Sequence, residues 1–441
     1  MTQPSRSAGS ACPDAAAAAA KLARRDLVVD LARVCCVLLV VVIHVLMIGV
    51  GLDASGAVVV SRPLEAQPWF AAATWFGQIM PLFFALGGFT ALTSWRSLQR
   101  HGGDAWDFVR ARTMRLAAPA LPVFVLFAAV LGGATLAGVD PALVDTIATG
   151  AGSPLWFFAA YLLVQCLVPV AVRAHARAKW LALGGLAAGA VAVDAARIAT
   201  GIDELGLVNL VFVWGFAQQL GFWYADGWFR RRTAPQLVAL AAVAYLLVRF
   251  GVDAGWYSPD MLVNLNPPTV PLALLGIAQV ALLTLLAPLL RALMQRRAAQ
   301  AAVFAVGSRT MTIYLWHLPV IVAVAGLTLL IPGAAPEPAS AGWWWSRPLV
   351  FVVVLAIVWA VSLPLRRFEQ VSVAIPEGRR RPGALAVAAA AVLAFVPPFL
   401  VMQLFLDLPI ALVGVVLLAA ALVLERPRSR STARSSSNAR A

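Results

Sequence analysis

Charge is scarce in this chain. Only 12% of its 441 residues are Asp, Glu, Lys or Arg, about half the share a soluble domain carries, and 61% are hydrophobic. That excludes an ordinary water-soluble globule. Cysteine is scarce as well. Cys35 and Cys36 are adjacent in one apolar run, Cys166 lies in another and Cys12 sits near the N-terminus. Four thiols so placed make neither a disulfide framework nor a metal-ligand spacing. The histidines His44, His101, His175 and His317 are scattered and form no His-x-x-x-His pair, so no metal site is expected. Residues 1–23 are Ala-rich and polar with no apolar signal-peptide core, and are expected to be a disordered cytoplasmic tail. The basic stretch 425–441 is expected to be a second disordered cytoplasmic tail, with five arginines that can touch anionic lipid headgroups. There is no loop long enough for a soluble catalytic domain, and no internal repeat.

What the chain has is apolar length. A spanning helix needs about 20 mostly apolar residues. Twelve stretches qualify: 31–51, 74–95, 116–138, 154–172, 180–199, 206–225, 236–251, 269–290, 309–331, 348–365, 384–405 and 408–424. The fold class is therefore all-α, a polytopic transmembrane bundle in the cell membrane. Its main domain covers 24–370 with ten spans, and 384–424 forms a C-terminal hairpin around Asp407–Pro409. The net charge of +14 would suit nucleic acid as a partner, but its distribution argues for membrane topology instead. With the N-terminus in the cytoplasm, the inner loops hold nineteen Arg and Lys residues and the outer loops two, Arg62 and Arg347. Membrane lipids are thus expected partners, and the oligomeric state is left open. Tryptophans such as Trp343–Trp345 suit an interfacial belt.

Ionisable residues inside a span are costly and point to function. Arg33 and His44 are eleven residues apart in the first span, which is three helical turns on one face and about 16 Å along the axis. His44 can act as a proton-handling group; its alternative is packing glue between helices. Arg112 and Arg115, in FVRARTMRLAAP, share one face at the start of the third span and suit phosphate recognition, or else serve topology alone. Gly87 and Gly88 in PLFFALGGF allow close helix approach or an opening. RTMTIYLWHLPVIV places Arg309, Tyr314 and His317 in the ninth span; His317 is either a second proton handler or a structural hydrogen-bonder beside Pro319. Asp194 and Arg197, three apart in the fifth span, can pair with each other.

Together these segments resemble the membrane acyltransferase-3 family, integral-membrane proteins that O-acylate glycans and secondary metabolites. Arg33-x10-His44 is similar to that family's first-helix motif, Arg112 to Arg115 to its Arg-x-x-Arg motif, and YLWHLPV to its Tyr-Leu-x-His-x-Pro segment. PLFFALGGF is similar to its FF-x-L-SGF segment, with Gly87 where Ser is usual. The resemblance covers roughly 24–370. It implies an acyl-CoA donor substrate on the cytoplasmic side, no permanently bound cofactor, and an acceptor hydroxyl on a glycan, lipid or metabolite. Arg33, Arg112 and Arg115 would hold the donor phosphates, Tyr314 and His317 would belong to the substrate site, and His44 would be the general base. Cys36, two turns before His44, is the thiol to test as a nucleophile. The competing class is a transporter of lipid or glycan; transporters commonly pair broken helices in two repeats, and none is visible here.

Overall fold

The first span shows why such a valine-rich sequence is helical. β-Branched residues are indifferent helix formers in water, but in hydrocarbon every unpaired N–H and C=O costs several kcal/mol, about enough to override propensity. The helix begins where Asp26 accepts hydrogen bonds from the Val28 and Val29 N–H groups, at 3.1 and 3.4 Å.

The computed structural model describes residues 25–54, 56–371, 373–375 and 379–429. The N-terminal tail, Cys12 and all but the first five residues of the C-terminal tail lie outside the described residues. The helices are α1 (Leu27–Met47), α2 (Phe70–Gly77), α3 (Met80–Arg100), α4 (Ala105–Leu136), α5 (Pro141–Gly152), α6 (Leu155–Cys166), α7 (Val168–Thr200) and α8 (Asn209–Ala225). They continue as α9 (Ala234–Asp253), α10 (Val270–Leu293), α11 (Arg297–Gly307), α12 (Thr310–Leu329), α13 (Ala341–Glu369), α14 (Ala384–Leu404) and α15 (Leu408–Leu424). A short antiparallel hairpin, β1 (Gly49–Leu52) with β2 (Val58–Ser61), follows α1. Among the described residues, eleven segments are long and apolar enough to cross a membrane, and α15 is a shorter twelfth. The fold is the expected all-α polytopic bundle.

Two spans are broken, which the sequence reading missed. α2 and α3 form one crossing interrupted at Gln78–Ile79, and α5 and α6 another interrupted at Ser153–Pro154. The fourth crossing accordingly starts at Pro141 rather than near 154, and ends at Cys166. Each break is bridged by a polar side chain from elsewhere, as buried backbone requires. Gln279 of α10 donates to the Gln78 carbonyl at 2.6 Å and accepts from the Leu82 N–H at 2.9 Å. The Tyr314 hydroxyl of α12 donates to the Pro154 carbonyl.

The core sits where α3 crosses α8 with backbones nearly touching. A Cβ on Gly88 would lie 2.0 Å from the Gln218 carbonyl oxygen, and one on Gly221 would lie 1.9 Å from that of Ala85. Only glycine permits this crossing, so of the two readings of Gly88, close approach holds. Gln165 donates to Gln218 at 3.1 Å, and Gln218 to the Val164 carbonyl at 3.1 Å, tying α6 to α8. The expected Asp194–Arg197 pair does not form. Asp194 is buried and accepts from Asn209 and from the Val270 N–H, both at 2.8 Å, because the free N-terminal N–H of α10 faces it. Arg197 turns instead to Asp203, at 3.4 Å.

The C-terminal hairpin is anchored to the main bundle. Gly414 of α15 lets that helix close on Phe124 of α4, where a Cβ would meet the ring at 2.1 Å. At its end, Glu425 is fully buried; its carbonyl accepts from Arg110 at 3.0 and 3.1 Å and its carboxylate lies 3.3 Å from the same guanidinium. Burial pushes the Glu425 carboxyl up to about 7, against the pull of Arg110.

Candidate active site

His44 lies near the end of α1, and α12 packs beside it. Its Nδ1 is 2.8 Å from the Val40 carbonyl one turn back and 3.2 Å from Nε2 of His317. The His317 Nδ1 is in turn 2.6 Å from the Tyr314 carbonyl. Carbonyl oxygens only accept, so this pattern assigns the proton of each ring to Nδ1. The one His44 Nδ1–H is then shared between the Val40 carbonyl and His317 Nε2, an acceptor. The lone pair of His44 Nε2 is left for a substrate. The Pro154 break completes the arrangement. The Tyr314 hydroxyl anchors on Pro154 while the Tyr314 carbonyl anchors His317, so one residue links the broken fourth span to the histidine pair.

A cavity opens on each side of this pair. The one at the start of α1 has a volume of about 1070 Å³ and is lined by Arg25, Arg33, Arg112, Arg115, Arg230 and Arg291, against Asp26 and Asp30. Arg25 pairs with Asp30 at 2.8 Å and Arg230 with Asp26 at 3.7 Å. Arg33, Arg112, Arg115 and Arg291 have no acidic partner among the described residues. Arg112 lies against the Phe108 ring at 4.8 Å, and its buried Nη2 has no hydrogen-bond partner among them. Such an uncompensated cluster is built for an anion. The cavity at the other end of α1 is about 1080 Å³ and is lined by His44, Ser153, Pro154, Trp156 and many aliphatic side chains. Between them runs a chain of rings: Tyr161 stacks on Phe157, which meets Tyr314, then His317, then His44, at centroid distances of 5.3, 4.9, 5.9 and 5.0 Å.

The arrangement brings a fixed basic nitrogen to one cavity and an anion cradle to the other, which is what moving an activated group onto a hydroxyl needs. A family model, Acyl_transf_3, described as an acyltransferase domain, matches residues 26–363. The chain belongs to this acyltransferase family. No curated protein and no solved structure matches it.

In this member of the family, the residues singled out by spacing fall in two groups. Arg33, Arg112 and Arg115 line the first cavity together. His44 lines the second, with His317 and Tyr314 packed behind it and lining neither cavity. Arg230 and Arg291, whose basic character reads as topology in the sequence, join the anion cradle. Cys36 is buried among aliphatic side chains in the core rather than presented to either cavity. Gly87 is explained by Tyr161: a Cβ there would lie 2.8 Å from its ring and 2.9 Å from its hydroxyl, so a serine has no room. His175, 2.9 Å from Asp226, belongs to a separate cluster with Arg96 and Gln219. Among the described residues no three His, Cys, Asp or Glu side chains cluster as metal ligands would.

Proposed function

We propose that this protein is an integral-membrane O-acyltransferase. It takes acetyl or another short acyl group from acyl-CoA at the arginine-lined cavity and transfers it to a hydroxyl of a glycan, lipid or metabolite bound in the other. The single observation that carries the reading is the fixed histidine pair with its free His44 Nε2, on one helix face with Arg33 and the anion cradle. The positive-inside charge split supports a cytoplasmic donor face, and so a cytoplasmic N-terminus. The hairpin α14–α15 returns the chain to the same side.

Arg33, Arg112 and Arg115 hold the CoA phosphates, and the extended pantetheine arm carries the thioester past the ring partition. His44 Nε2 takes the proton of the acceptor hydroxyl as its oxygen attacks the thioester carbonyl. The C–S bond breaks, CoA leaves as thiolate, and the proton on His44 passes to it. The Val40 carbonyl and His317 Nε2 share the His44 Nδ1–H throughout and stabilise the imidazolium formed in between. Calorimetry of CoA against the purified protein in nanodiscs tests the donor half. Saturable binding that is lost in the Arg112→Ala/Arg115→Ala double variant supports it, and no CoA binding by the wild type overturns it.

Two cavities on either side of a partition of rings also fit a transporter. Uptake of an unmodified lipid or glycan into reconstituted vesicles, with no acyl transfer, would favour that reading.

A further inference from the structure

The second cavity is far more apolar than a site for a free sugar needs to be. Its apolar walls come from the end of α1, the β1–β2 hairpin, the end of α12 and the C-terminal hairpin, with Val60, Leu330, Val401, Met402 and Phe405 among them, while α5 adds a mixed wall with Thr146 and Thr149. Apart from His44, its charged side chains are Arg62 and Asp145. At about 1080 Å³ it is at the top of the range for sites that enclose a drug-sized ligand. Its rim is apolar too, and open: Leu52, Leu330 and Phe405 are 55, 77 and 60% exposed. Leu330 and Phe405 close the spanning helices α12 and α14, where exposed apolar side chains meet the lipid interface.

α14 lies beyond the residues that match the family, yet it supplies Val401 and Met402 to this wall, and Phe405 follows at its end. Phe405 closes the helix in the left-handed region at φ 63°, a conformation that costs a bulky residue about 1–3 kcal/mol and persists where the surroundings hold it. The Arg110–Glu425 lock and the Gly414–Phe124 closure fix the hairpin that carries it.

We infer that this cavity binds an amphiphile, a molecule with a hydroxyl-bearing head and an apolar body of several methylenes, and that the C-terminal hairpin selects for that body. The head meets His44 while the body lies along the wall shared by α12 and α14 and leaves through the lipid-facing rim. That the amphiphile is the acyl acceptor rests on the function proposed above; that the cavity binds it does not.

The test uses methyl, n-butyl and n-hexyl glucosides, with the full-length protein in nanodiscs. A hexyl glucoside carrying a terminal diazirine is photo-crosslinked and the adducts are mapped by mass spectrometry, in wild type and in His44→Ala. Adducts on the segments around Leu330 and Met402 in both proteins, outcompeted by hexyl but not by methyl glucoside, support the inference. In acyl-transfer assays with acetyl-CoA, each buried methylene is worth about fourfold, so kcat/KM should be at least about tenfold higher for the hexyl than for the methyl compound. Met402→Trp should bring that ratio toward one, whereas Leu404→Trp, on the exposed side of the same helix and outside the cavity lining, should keep it. Equal kcat/KM for methyl and hexyl acceptors, or adducts confined to other surfaces, would overturn the inference while leaving acyl transfer standing. Adducts in the cavity with no acyl transfer to any glucoside would leave the amphiphile site standing and count against the acceptor role.

Discussion

His317→Ala should lower kcat without changing the KM for the donor. His317 is fully buried, with its Nδ1 at 2.6 Å from the Tyr314 carbonyl and its Nε2 at 3.2 Å from His44 Nδ1. When His44 accepts a proton on Nε2 it becomes an imidazolium, and its Nδ1–H becomes a charged donor. The bond to His317 is then charge-assisted and worth about 1.5–3 kcal/mol in the transition state, against about 1 kcal/mol in the neutral ground state. Losing it removes the difference of about 0.5–2 kcal/mol and leaves the imidazolium N–H to the Val40 carbonyl alone, a fall of about two- to thirtyfold in kcat. The donor KM should hold because the anion cradle is lined by other residues. His317→Gln, whose side-chain oxygen can accept the same bond, should recover part of the loss. Initial rates of CoA thiol release at saturating acetyl-CoA, with thermal melts to establish that each variant is folded, make the comparison. The sequence alone puts the cost of losing His317 mainly on folding; the observed pairing puts it on chemistry. A folded His317→Ala protein with wild-type kcat would refute the relay.

Arg112→Ala and Arg115→Ala should each raise the donor KM about ten- to a hundredfold, with Lys recovering only part because it cannot form the bidentate fork; unchanged donor kinetics would reduce these arginines to topology signals. Gly221→Ala should destabilise the protein by about 1–3 kcal/mol or more, since its Cβ would meet the Ala85 carbonyl at 1.9 Å, whereas Gly184→Ala, with open space around it, should be tolerated; equal melting temperatures would deny the close crossing. Glu425 binds its proton more tightly folded than unfolded, so docking of the hairpin is most favourable below about pH 4.5 and weakens as pH rises toward about 7. Melts between these values should fall with pH in the wild type and stay flat in Glu425→Gln, and a wild-type melting temperature that rises with pH would contradict the burial argument. Single cysteines in loop 226–235 should resist labelling from outside intact cells and those in 332–346 should react; the reverse would invert the topology.

The spans were legible because hydrocarbon forces backbone pairing and so demands apolar length, a property written locally in the chain. Arg33 and His44 were legible for the same reason, since helical spacing is local. The pairing of His44 with His317 was not, because the two are 273 residues apart and only the packing of α12 on α1 joins them. The broken spans were missed although their breakers are visible: Gly77 and Pro81 flank one break, and Gly152 precedes the other, which holds Pro154. An apolar window averages over such residues, and it takes the Gln279 and Tyr314 side chains to show that the freed backbone is provided for. Asp194 was misread because the N–H that satisfies it belongs to α10, far along the chain.

The central claim is that His44 is the base for acyl transfer. The most direct measurement is single-turnover transfer from radiolabelled acetyl-CoA to acceptor by purified His44→Ala in nanodiscs, at a donor concentration where calorimetry shows CoA bound. The account predicts a folded protein that binds CoA like the wild type and transfers about 10²–10⁴-fold more slowly. Transfer at the wild-type rate by that variant would contradict it.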